Sequence, residues 1–321
     1  MISFIVIGHN EEKNLKRCFE SIFNTIEYNR IKDYEVIYVD SKSTDRSIII
    51  AQKFKGVKIF LIKGYCNAAV GRNIGAKESH GKVLFFIDGD MEIEKEFLSH
   101  VLDPNANLKY NFVSGQVIDV VEGISIKVRN ILKNNSSETI SKVSPGGIFI
   151  IRKECWNLVK GMKTKFNTGE EADLVYRLIK KGFFFTRRSE IITKHYTYMN
   201  LDLGKMWKGI ISKAAFYPRC VTYRDHFTNK FLYYGMWASD KTFMLIFISI
   251  VLILLMPITM PYLIFIYLLA ILLRSIKQNK KISGIKYLFY FLVLDFLNLI
   301  YLFIFFPKNK KLDYMIVNSI S

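Results

Sequence analysis

The sequence predicts an α/β fold with a mostly parallel, Rossmann-like sheet and helices on both faces, followed by helices that attach the chain to a membrane. Three observations point to this. Four apolar runs alternate with segments of helical periodicity in residues 1–198, which is typical of parallel strands joined by right-handed crossovers. The runs are continuously apolar, as in a sheet covered on both faces. Two long apolar stretches follow beyond residue 242.

The predicted elements follow one another along residues 1–198. Rich in β-branched residues, the first four strands are expected at Ile2–Ile7, Glu35–Val39, Val57–Ile62 and Val83–Ile87. Helical periodicity between them predicts helices at Glu11–Glu27, Thr44–Phe54 and Asn67–Ser79. Later strands are expected at Phe112–Val121, Gly147–Ile151, Phe183–Thr186 and Ile191–Thr193, and one later helix at Glu170–Lys181.

The formal charge of +18 calls for an acidic partner or surface. No nucleic-acid partner is expected, because helix-turn-helix, zinc-finger and RNP signatures are absent from the sequence. Basic residues instead gather beside the C-terminal apolar stretches, which suits anionic lipid headgroups; they are Arg274, Lys277, Lys280, Lys281 and Lys286. The four scattered cysteines are expected to be reduced thiols, and the first strand begins without a signal peptide, so the N-terminal domain is expected in the cytoplasm.

Three regions are expected: an α/β domain at 1–198, an amphipathic basic linker at 199–241, and membrane-anchoring helices with a short basic tail at 242–321. In the linker, Leu203 and Trp207 share helical spacing with other apolar residues, while Lys205, Lys208 and Lys213 occupy other faces. Such a helix lies in a bilayer interface. An ordinary amphipathic helix packed on the first domain is the alternative.

The apolar stretches in the third region are 243–273 and 287–306. As one helix the first would measure about 45 Å, longer than the ~30 Å hydrocarbon thickness, whereas each half would measure only about 20 Å. Pro257 and Pro261 interrupt it, and the basic loop 274–286 favours the cytoplasmic side. These features favour a re-entrant hairpin over a single kinked helix. Asp295 and Asn298 share one helix face and are expected to avoid lipid.

Two acidic residues follow the fourth predicted strand in the sequence Asp88-Gly89-Asp90. Residues i and i+2 of an extended chain point the same way, so both carboxylates are expected to converge. Paired carboxylates offer the hard oxygen ligands that Mg²⁺ or Mn²⁺ prefers. The pair also lies at the carboxyl edge of the predicted sheet, where open α/β folds bind ligands. The sequence therefore predicts a divalent-cation site at this edge.

Polar motifs end or follow other predicted strands. They are Gly8-His9-Asn10-Glu11, Asp40-Ser41-Lys42, the segment Asn67 to Ala76 that contains Arg72, and Gly169-Glu170-Glu171, which comes after Gly146-Gly147. The first three cluster with the acidic pair at the carboxyl ends of successive strands. A nucleotide and its diphosphate would fit there.

In the order and spacing of these five motifs, roughly residues 1–200 resemble the inverting GT-A glycosyltransferases of glycosyltransferase family 2. The family's first strand typically ends in Tyr-Asn-Glu, matched here by His9-Asn10-Glu11. The resemblance implies that Glu11 and Asp40 contact the nucleoside base, on which His9 could also stack. It implies further that Arg72 lies near the nucleotide. Asp88 would meet the ribose or the metal, and Asp90 would be the main ligand of Mg²⁺ or Mn²⁺.

The family's Glu-Asp motif falls on Glu170-Glu171, which makes Glu171 the expected catalytic base. The chemistry agrees, because a divalent ion neutralises the departing diphosphate while a carboxylate takes the proton of the attacking hydroxyl. The alternative is an acidic cluster that only caps its helix. His195 lies where some GT-A enzymes place a third metal ligand, and an ordinary loop histidine is its alternative. Lys42 stands where glycine or asparagine commonly supplies a left-handed turn.

The expected function is that of a membrane-associated inverting glycosyltransferase acting on the cytosolic face. It would move a sugar from a nucleotide-sugar donor to a lipid-linked or surface-glycan acceptor. One alternative is transfer to polyprenyl phosphate, an acceptor that is already an anion. An alternative of another class is a noncatalytic membrane-bound scaffold that binds sugar nucleotides. A processive synthase is disfavoured, because no Q-x-x-R-W sequence follows Glu171.

Overall fold

The chain forms two units in a computed structural model that describes residues 1–121, 127–128, 138–141, 145–197, 203–212, 215, 217–278 and 284–317. Unit 1 comprises Met1–Met199 and Lys308–Ser321, and unit 2 comprises Asn200–Pro307. Several residues of the sequence argument lie outside the described ones, namely the expected boundary at 198–202 and the lysines Lys213, Lys280 and Lys281.

Unit 1 is built on a single sheet of eleven strands. The strands are β1 Ile2–Gly8, β2 Tyr34–Asp40, β3 Val57–Ile62, β4 Val83–Asp88, β5 Met91–Ile93, β6 Phe112–Val121, β7 Lys127–Val128, β8 Glu138–Ser141, β9 Phe149–Arg152, β10 Phe185–Thr197 and β11 Tyr314–Val317. Its helices are α1 Leu15–Tyr28, α2 Ser47–Gln52, α3 Ala68–Glu78, α4 Phe97–Val101, α5 Lys153–Leu158 and α6 Glu170–Ile179.

The sheet has a parallel half and a mixed half, in the order β11-β3-β2-β1-β4-β9-β6-β10-β5. Strands β1 to β4 pair in parallel, as their connecting helices require. Beyond β4, strand β9 runs antiparallel to both β4 and β6, while β10 is parallel to β6. The Rossmann-like α/β prediction is confirmed, and its parallel pairing is concentrated in the N-terminal half.

The hydrophobic core explains why the first strands read as continuous apolar runs. Phe4, Val6 and Tyr38 are fully buried beneath Phe19 of α1, whose ring meets Tyr38 edge-on at 5.9 Å. On the sheet's other face Phe86 stacks on Trp156 of α5 at 4.7 Å. Burial on both faces leaves no polar alternation in these strands.

Two predicted strands, Phe183–Thr186 and Ile191–Thr193, are one strand, β10. Its pairing with β6 shifts register between Arg187 and Thr193, which is the signature of a β-bulge. The intervening charged residues gave that segment the composition of a turn. Consequently His195, expected in a loop, lies inside a strand.

The C-terminal tail belongs to unit 1, whereas the sequence grouped it with the membrane region 242–321. Strand β11 pairs antiparallel with β3, from Tyr314 opposite Ile62 to Val317 opposite Ile59. Before it, the Thr164 hydroxyl donates to the Lys310 carbonyl at 2.8 Å. The tail thus completes one edge of the sheet.

Unit 2 is helical. Its helices are α7 Leu203–Ile211, α8 Tyr217–Asp225, α9 Lys230–Ser239, α10 Lys241–Leu255, α11 Met260–Gln278 and α12 Gly284–Ile304. A 3-10 turn, Pro257–Thr259, separates α10 from α11 where the prolines predicted a break. Two segments, Pro257–Ile276 and Tyr287–Ile304, are long and apolar enough to cross a membrane.

The amphipathic segment of the linker is helical, as expected. Trp207 of α7 packs on α12, with ring centroids 5.8 Å from Phe289 and 5.6 Å from Tyr290. Part of the apolar side of α7 is therefore covered by unit 2 itself. The side chain of Lys205 lies outside the described residues.

A buried carboxylate, Glu35, ties three strands of unit 1 together. Its oxygens accept hydrogen bonds from the Ser3 hydroxyl at 2.7 Å, the Lys58 ammonium at 2.9 Å and the His80 backbone N–H. Burial alone would raise the pKa of Glu35, but these donors outweigh it and lower the pKa to about 2. Since the folded pKa lies below the ordinary value, Glu35 stabilises the fold fully above pH 4.5, and this contribution is lost as pH falls toward 2.

We expect Glu35→Gln to lower the free energy of unfolding by about 1–3 kcal/mol at pH 7, because an amide cannot satisfy these donors equally. Urea denaturation followed by fluorescence measures the difference. It should shrink between pH 4.5 and pH 3, where the parent carboxylate starts to lose its advantage. The exposed Glu27 supplies the control, Glu27→Gln. An effect equal at pH 7 and pH 3 would contradict this account of Glu35.

Candidate active site

A cleft of about 460 Å³ opens at the carboxyl ends of the parallel strands. Its lining includes both members of the acidic pair, Asp88 and Asp90, which the sequence expected to converge. The remaining polar lining comes from the other strand ends and the start of α3; it includes His9, Glu11, Ser41, Cys66 and Asn67. The predicted edge of the sheet is therefore the edge with the cleft.

The loop after β1 is held against the loop after β2. The Nδ1 atom of His9 lies 2.8 Å from the Ser41 carbonyl, and the Asn10 backbone N–H donates to the Ser43 hydroxyl at 2.8 Å. Asn10 adopts a positive φ of 58°, which asparagine tolerates better than most residues. His9 thus stands exposed at the rim of the cleft.

Asp40 is fully buried at the end of β2. It accepts hydrogen bonds from the Tyr38 hydroxyl at 2.9 Å and the Ser43 backbone N–H at 2.7 Å. Lys42 adopts the left-handed conformation, with φ of 63°, so the turn is retained without the usual glycine. Asp40 does not line the cleft, and it holds the turn after β2 through its contact with Ser43. Its contact with a nucleoside base stays a prediction.

Glu11 faces Asp90 across the cleft floor. Its Oε2 accepts a hydrogen bond from Asn14 Nδ2 at 3.0 Å. Burial raises the pKa of Glu11, and the nearby charge of Asp90 raises it further. Its uptake of a proton is therefore coupled to the charge on Asp90.

Arg72 is the buried hub of the site. Only 2% of its side chain is exposed, and its guanidinium lies 2.9 Å from Asp88, 2.9 Å from Glu170 and 3.2 Å from Glu171. It therefore joins α3, the end of β4 and the start of α6. Its nitrogens are directed at carboxylates of the protein, one of which, Asp88, lines the cleft, and its closeness to a nucleotide stays a prediction.

Asp88 and Asp90 share the cleft but have different partners. Asp88 contacts Arg72, and Asp90 contacts His195. Burial raises the pKa of Asp88 to about 7; Arg72 opposes this shift, while Asp90 and Glu171 add to it. The charge on Asp88 is therefore costly to bury, and Arg72 is the group that compensates it.

Glu171 is the second residue of α6, and both its carboxylate oxygens are engaged by the loop that precedes β9. The backbone N–H groups of Gly146 and Gly147 donate to it at 3.2 Å and 2.7 Å. Gly147 has φ of +91°, and a Cβ there would meet Asp88 Oδ2 at 2.3 Å. Only glycine fits beside Asp88 at position 147, which explains the second glycine of the motif.

Glu170 lies deeper than Glu171. As a whole residue Glu170 is 6% exposed, and its Oε1 is paired with Arg72 at 2.9 Å. Burial raises the pKa of Glu170, while Arg72 opposes the shift. Of the two, Glu171 is the more accessible, with 13% of its side chain exposed against 8% for Glu170.

His195 lies beside the acidic pair, although the sequence placed it in a loop. Its Nε2 is 3.2 Å from Asp90 Oδ2, and its Nδ1 is 2.8 Å from Asp119 Oδ1. The pairing of β10 with β6 sets His195 opposite Asp119. Sequence reasoning missed Asp119, for which a carboxylate inside the apolar run Val117–Val121 was the available signal.

A divalent ion fits the residues at Asp90. The Oδ1 atom of Asp90 is buried without a hydrogen-bond partner, which is unusual for a carboxylate oxygen. Within the described parts of the chain, no three His, Cys, Asp or Glu side chains form a complete ligand cluster. Asp90 is therefore the residue whose free oxygen suits a metal, while Asp88 is turned toward Arg72.

Replacing the buried guanidinium of Arg72 should destabilise unit 1 severely. We expect Arg72→Met to lower the free energy of unfolding by about 3–5 kcal/mol, because three carboxylates lose their partner. The stability of Arg72→Lys should lie between those of the parent and Arg72→Met, since lysine keeps the charge but not the forked geometry. Chemical denaturation measures both variants.

The matched control is Lys16→Met on α1, whose side chain is 71% exposed and paired with an exposed Glu20. It should change stability by less than about 1 kcal/mol. If Arg72→Met unfolded like Lys16→Met, the hub would contribute nothing to the fold.

Comparisons with known proteins agree with this geometry. A family model described as Glycosyl transferase family 2 matches residues 3–165, just over half of the chain. A Methanococcus voltae protein is 25% identical over 302 residues, 86% of this chain and 87% of its own. Its name is dolichyl N-acetyl-alpha-D-glucosaminyl phosphate 3-beta-D-2,3-diacetamido-2,3-dideoxy-beta-D-glucuronosyltransferase.

Two further matches are partial. WfaP of Escherichia coli, named as a UDP-Glc:alpha-D-GlcNAc-diphosphoundecaprenol beta-1,3-glucosyltransferase, is 31% identical over 119 residues, 31% of this chain and 45% of its own. The crystal structure of GalNAc-T7 with UDP, GalNAc and Mn²⁺ superposes with a TM-score of 0.50 at 16% identity, over 62% of this chain and 44% of that one. The latter likeness concerns the fold alone. With the motifs in place around the cleft and the family model matched, the chain belongs to glycosyltransferase family 2.

Proposed function

We propose that this glycosyltransferase is membrane-associated and inverting, and that it moves a sugar from a nucleotide donor onto a lipid-linked sugar or a growing surface glycan. The observation that carries the proposal is the Arg72 hub, which joins Asp88 of the cleft and the Glu170-Glu171 motif in one ion-paired cluster. A leaving diphosphate and an attacking hydroxyl need these two kinds of group on opposite sides of one sugar.

The cleft residues would hold the nucleotide. His9, exposed at the rim, offers a ring on which a base can stack, and Glu11 offers a carboxylate to a base N–H. Asp40 supports the turn beneath them. Asp88, paired with Arg72, is placed to accept a hydrogen bond from a ribose hydroxyl.

Asp90 would hold Mg²⁺ or Mn²⁺ through its free Oδ1, with His195 as an additional ligand. When bound, such an ion neutralises charge on the departing diphosphate. Carboxylate oxygens and imidazole nitrogen are both ligands that Mn²⁺ accepts. The GT-A structure that contains UDP and Mn²⁺ supports a divalent ion in this fold.

Glu171 would take the proton from the acceptor hydroxyl. Two backbone N–H groups and Arg72 hold its carboxylate in one orientation. A general base needs a fixed orientation toward the bound acceptor hydroxyl. Glu170 is more deeply buried and serves as the partner of Arg72. Its role is therefore that of a positioning residue.

A lipid-linked acceptor agrees with the apolar helices of unit 2. An enzyme and an acceptor that share one membrane meet in two dimensions, which raises their effective concentration. The Methanococcus voltae relative, whose name includes a dolichyl phosphate sugar, aligns over 86% of this chain and therefore over part of unit 2. The catalytic unit would face the cytoplasm, as the basic loop 274–286 favours.

We expect Glu171→Gln to lower the rate of transfer to a sugar hydroxyl by about 10²–10⁴-fold, the usual contribution of a general base. Turnover of a nucleotide sugar with a lipid-linked sugar acceptor measures the rate. Binding of the nucleotide, measured by thermal shift, should be unchanged because Glu171 does not line the cleft. Glu154→Gln, at a side chain that is 71% exposed, is the matched control.

Two other results would favour the alternative functions. If Glu171→Gln retained full transfer to polyprenyl phosphate but not to a sugar hydroxyl, the acceptor would be the phosphate itself. If the parent chain bound the nucleotide but turned over no donor, the scaffold alternative would replace the enzyme.

Asp90→Asn should weaken Mn²⁺ binding at least ~10-fold, because it removes the charge of the principal ligand. Electron paramagnetic resonance of Mn²⁺ titrated into the purified chain measures binding without any turnover. Asp33→Asn, at a side chain that is 72% exposed, should bind Mn²⁺ like the parent. Equal Mn²⁺ affinity in Asp90→Asn and the parent would exclude Asp90 as the metal site.

A further inference from the structure

The apolar helices of unit 2 leave one question that length and composition alone do not answer: how often the chain crosses the membrane. Two segments are long enough to cross. A third crossing would require α9 and α10, which meet at 117°, to form one span. Connectivity and a buried polar cluster together restrict these possibilities.

The first restriction comes from the sheet of unit 1. Strand β11, after unit 2, pairs with β3, before it, and the Lys63 and Gly64 backbone N–H groups donate to the Asp313 carbonyl at 2.8 Å and 3.1 Å. A bilayer cannot divide one hydrogen-bonded sheet, because cut strands would leave their backbone groups unpaired. Residues 197 and 308 therefore lie on the same side of any membrane. The number of complete crossings between them is even.

The second restriction comes from a polar cluster inside unit 2. Asp240, at the start of α10, is 2.9 Å from Arg219 of α8 and 3.5 Å from Arg274. Arg274, near the end of α11, also contacts the Thr242 hydroxyl and lies 3.7 Å from Asp295 of α12. The start of α10 and the end of α11 therefore lie side by side. The two helices form an antiparallel hairpin with the Pro257–Thr259 turn at its tip.

Measured from the polar cluster at its base, each helical arm of the hairpin is shorter than the hydrocarbon core. Helix α10 has 15 residues, or about 22 Å at 1.5 Å per residue, against ~30 Å of hydrocarbon. From Met260 to Arg274, α11 likewise measures about 22 Å. The tip is apolar and exposed, with Leu254 at 78%, Leu255 at 73%, Ile258 at 81% and Tyr262 at 71%. Such a tip suits the interior of a bilayer.

Helix α12 cannot then be a crossing by itself. Because the hairpin returns to its starting side, α12 begins there, and residue 308 also lies there. Its centre carries the buried Asp295 and Asn298, and Arg224 of α8 donates to the carbonyls of Leu302 and Phe305 at its end, at 3.3 Å and 2.6 Å. These polar partners hold it beside the base of the hairpin.

We propose that unit 2 is a monotopic anchor. The hairpin of α10 and α11 inserts its tip into the leaflet on the catalytic side, and the chain makes no complete crossing. The lysines Lys308, Lys310 and Lys311, which follow α12, lie on that side, where they complement anionic lipid headgroups. This inference rests on the membrane attachment in the proposed function and specifies its form.

Cysteine accessibility in the full-length chain tests the inference. Single variants Asn279→Cys, between α11 and α12, and Ile258→Cys, at the tip, are compared with Lys308→Cys as the reference for the catalytic side. Each is expressed in cells and probed with a membrane-impermeant maleimide in intact spheroplasts and in inside-out vesicles. The parent chain gives the background from its natural thiols. Ile49→Cys is the matched control for Ile258→Cys, since Ile49 is 53% exposed in unit 1.

We expect Asn279→Cys, Lys308→Cys and Ile49→Cys to react in the same preparation, and Ile258→Cys to react in neither until detergent is added. Reaction of Asn279→Cys only from the face opposite to Lys308→Cys would show two crossings and overturn the inference. Reaction of Ile258→Cys from that opposite face would overturn it as well. A parent chain that did not sediment with vesicles would instead contradict the membrane attachment, so the two failures are distinguishable.

Discussion

The guanidinium of Arg72 is the group on which the arrangement of the site depends. Burying a cation costs several kcal/mol unless charged partners surround it, and here Asp88, Glu170 and Glu171 do so. The partners come from β4 and α6, which lie far apart in sequence. Because each carboxylate that left would take a compensating charge away from the buried guanidinium, the fold holds Asp88 and Glu171 together around Arg72 without a ligand.

The N-terminal half of the fold was predictable because its determinants are local. The observed bounds of β1 to β4 differ by at most one residue from the expected runs, since strands buried on both faces must be continuously apolar. Strands β5 and β11 were not predictable. They have three and four residues, and each exists through a partner distant in the sequence, β10 and β3 respectively. Helix α1 begins at Leu15 instead of Glu11, because Glu11 belongs to the preceding turn.

The site was predictable in its motifs and less so in its contacts. Strand ends that carry Glu11, Asp88 and Asp90 could be placed at one edge, because parallel strands share their carboxyl ends. The burial of Arg72 and the pairing of His195 with Asp119 could not, since they depend on how β6, β10 and α6 meet. The tail was misgrouped for the same reason, and its return to the sheet is what limits the membrane topology of unit 2.

In the proposed function, unit 1 would supply a nucleotide cleft, a metal-binding carboxylate and a base, and unit 2 would keep the enzyme at a lipid surface. One bound donor would then bridge Asp90 and the region before Glu171. A crystal structure of the chain with Mn²⁺ and a nucleotide sugar, phased on the manganese anomalous signal, tests this most directly. We expect the anomalous peak at Asp90 Oδ1, between that carboxylate and the diphosphate, with the sugar directed toward Glu171. A manganese peak away from Asp90, or a sugar directed away from Glu171, would contradict it.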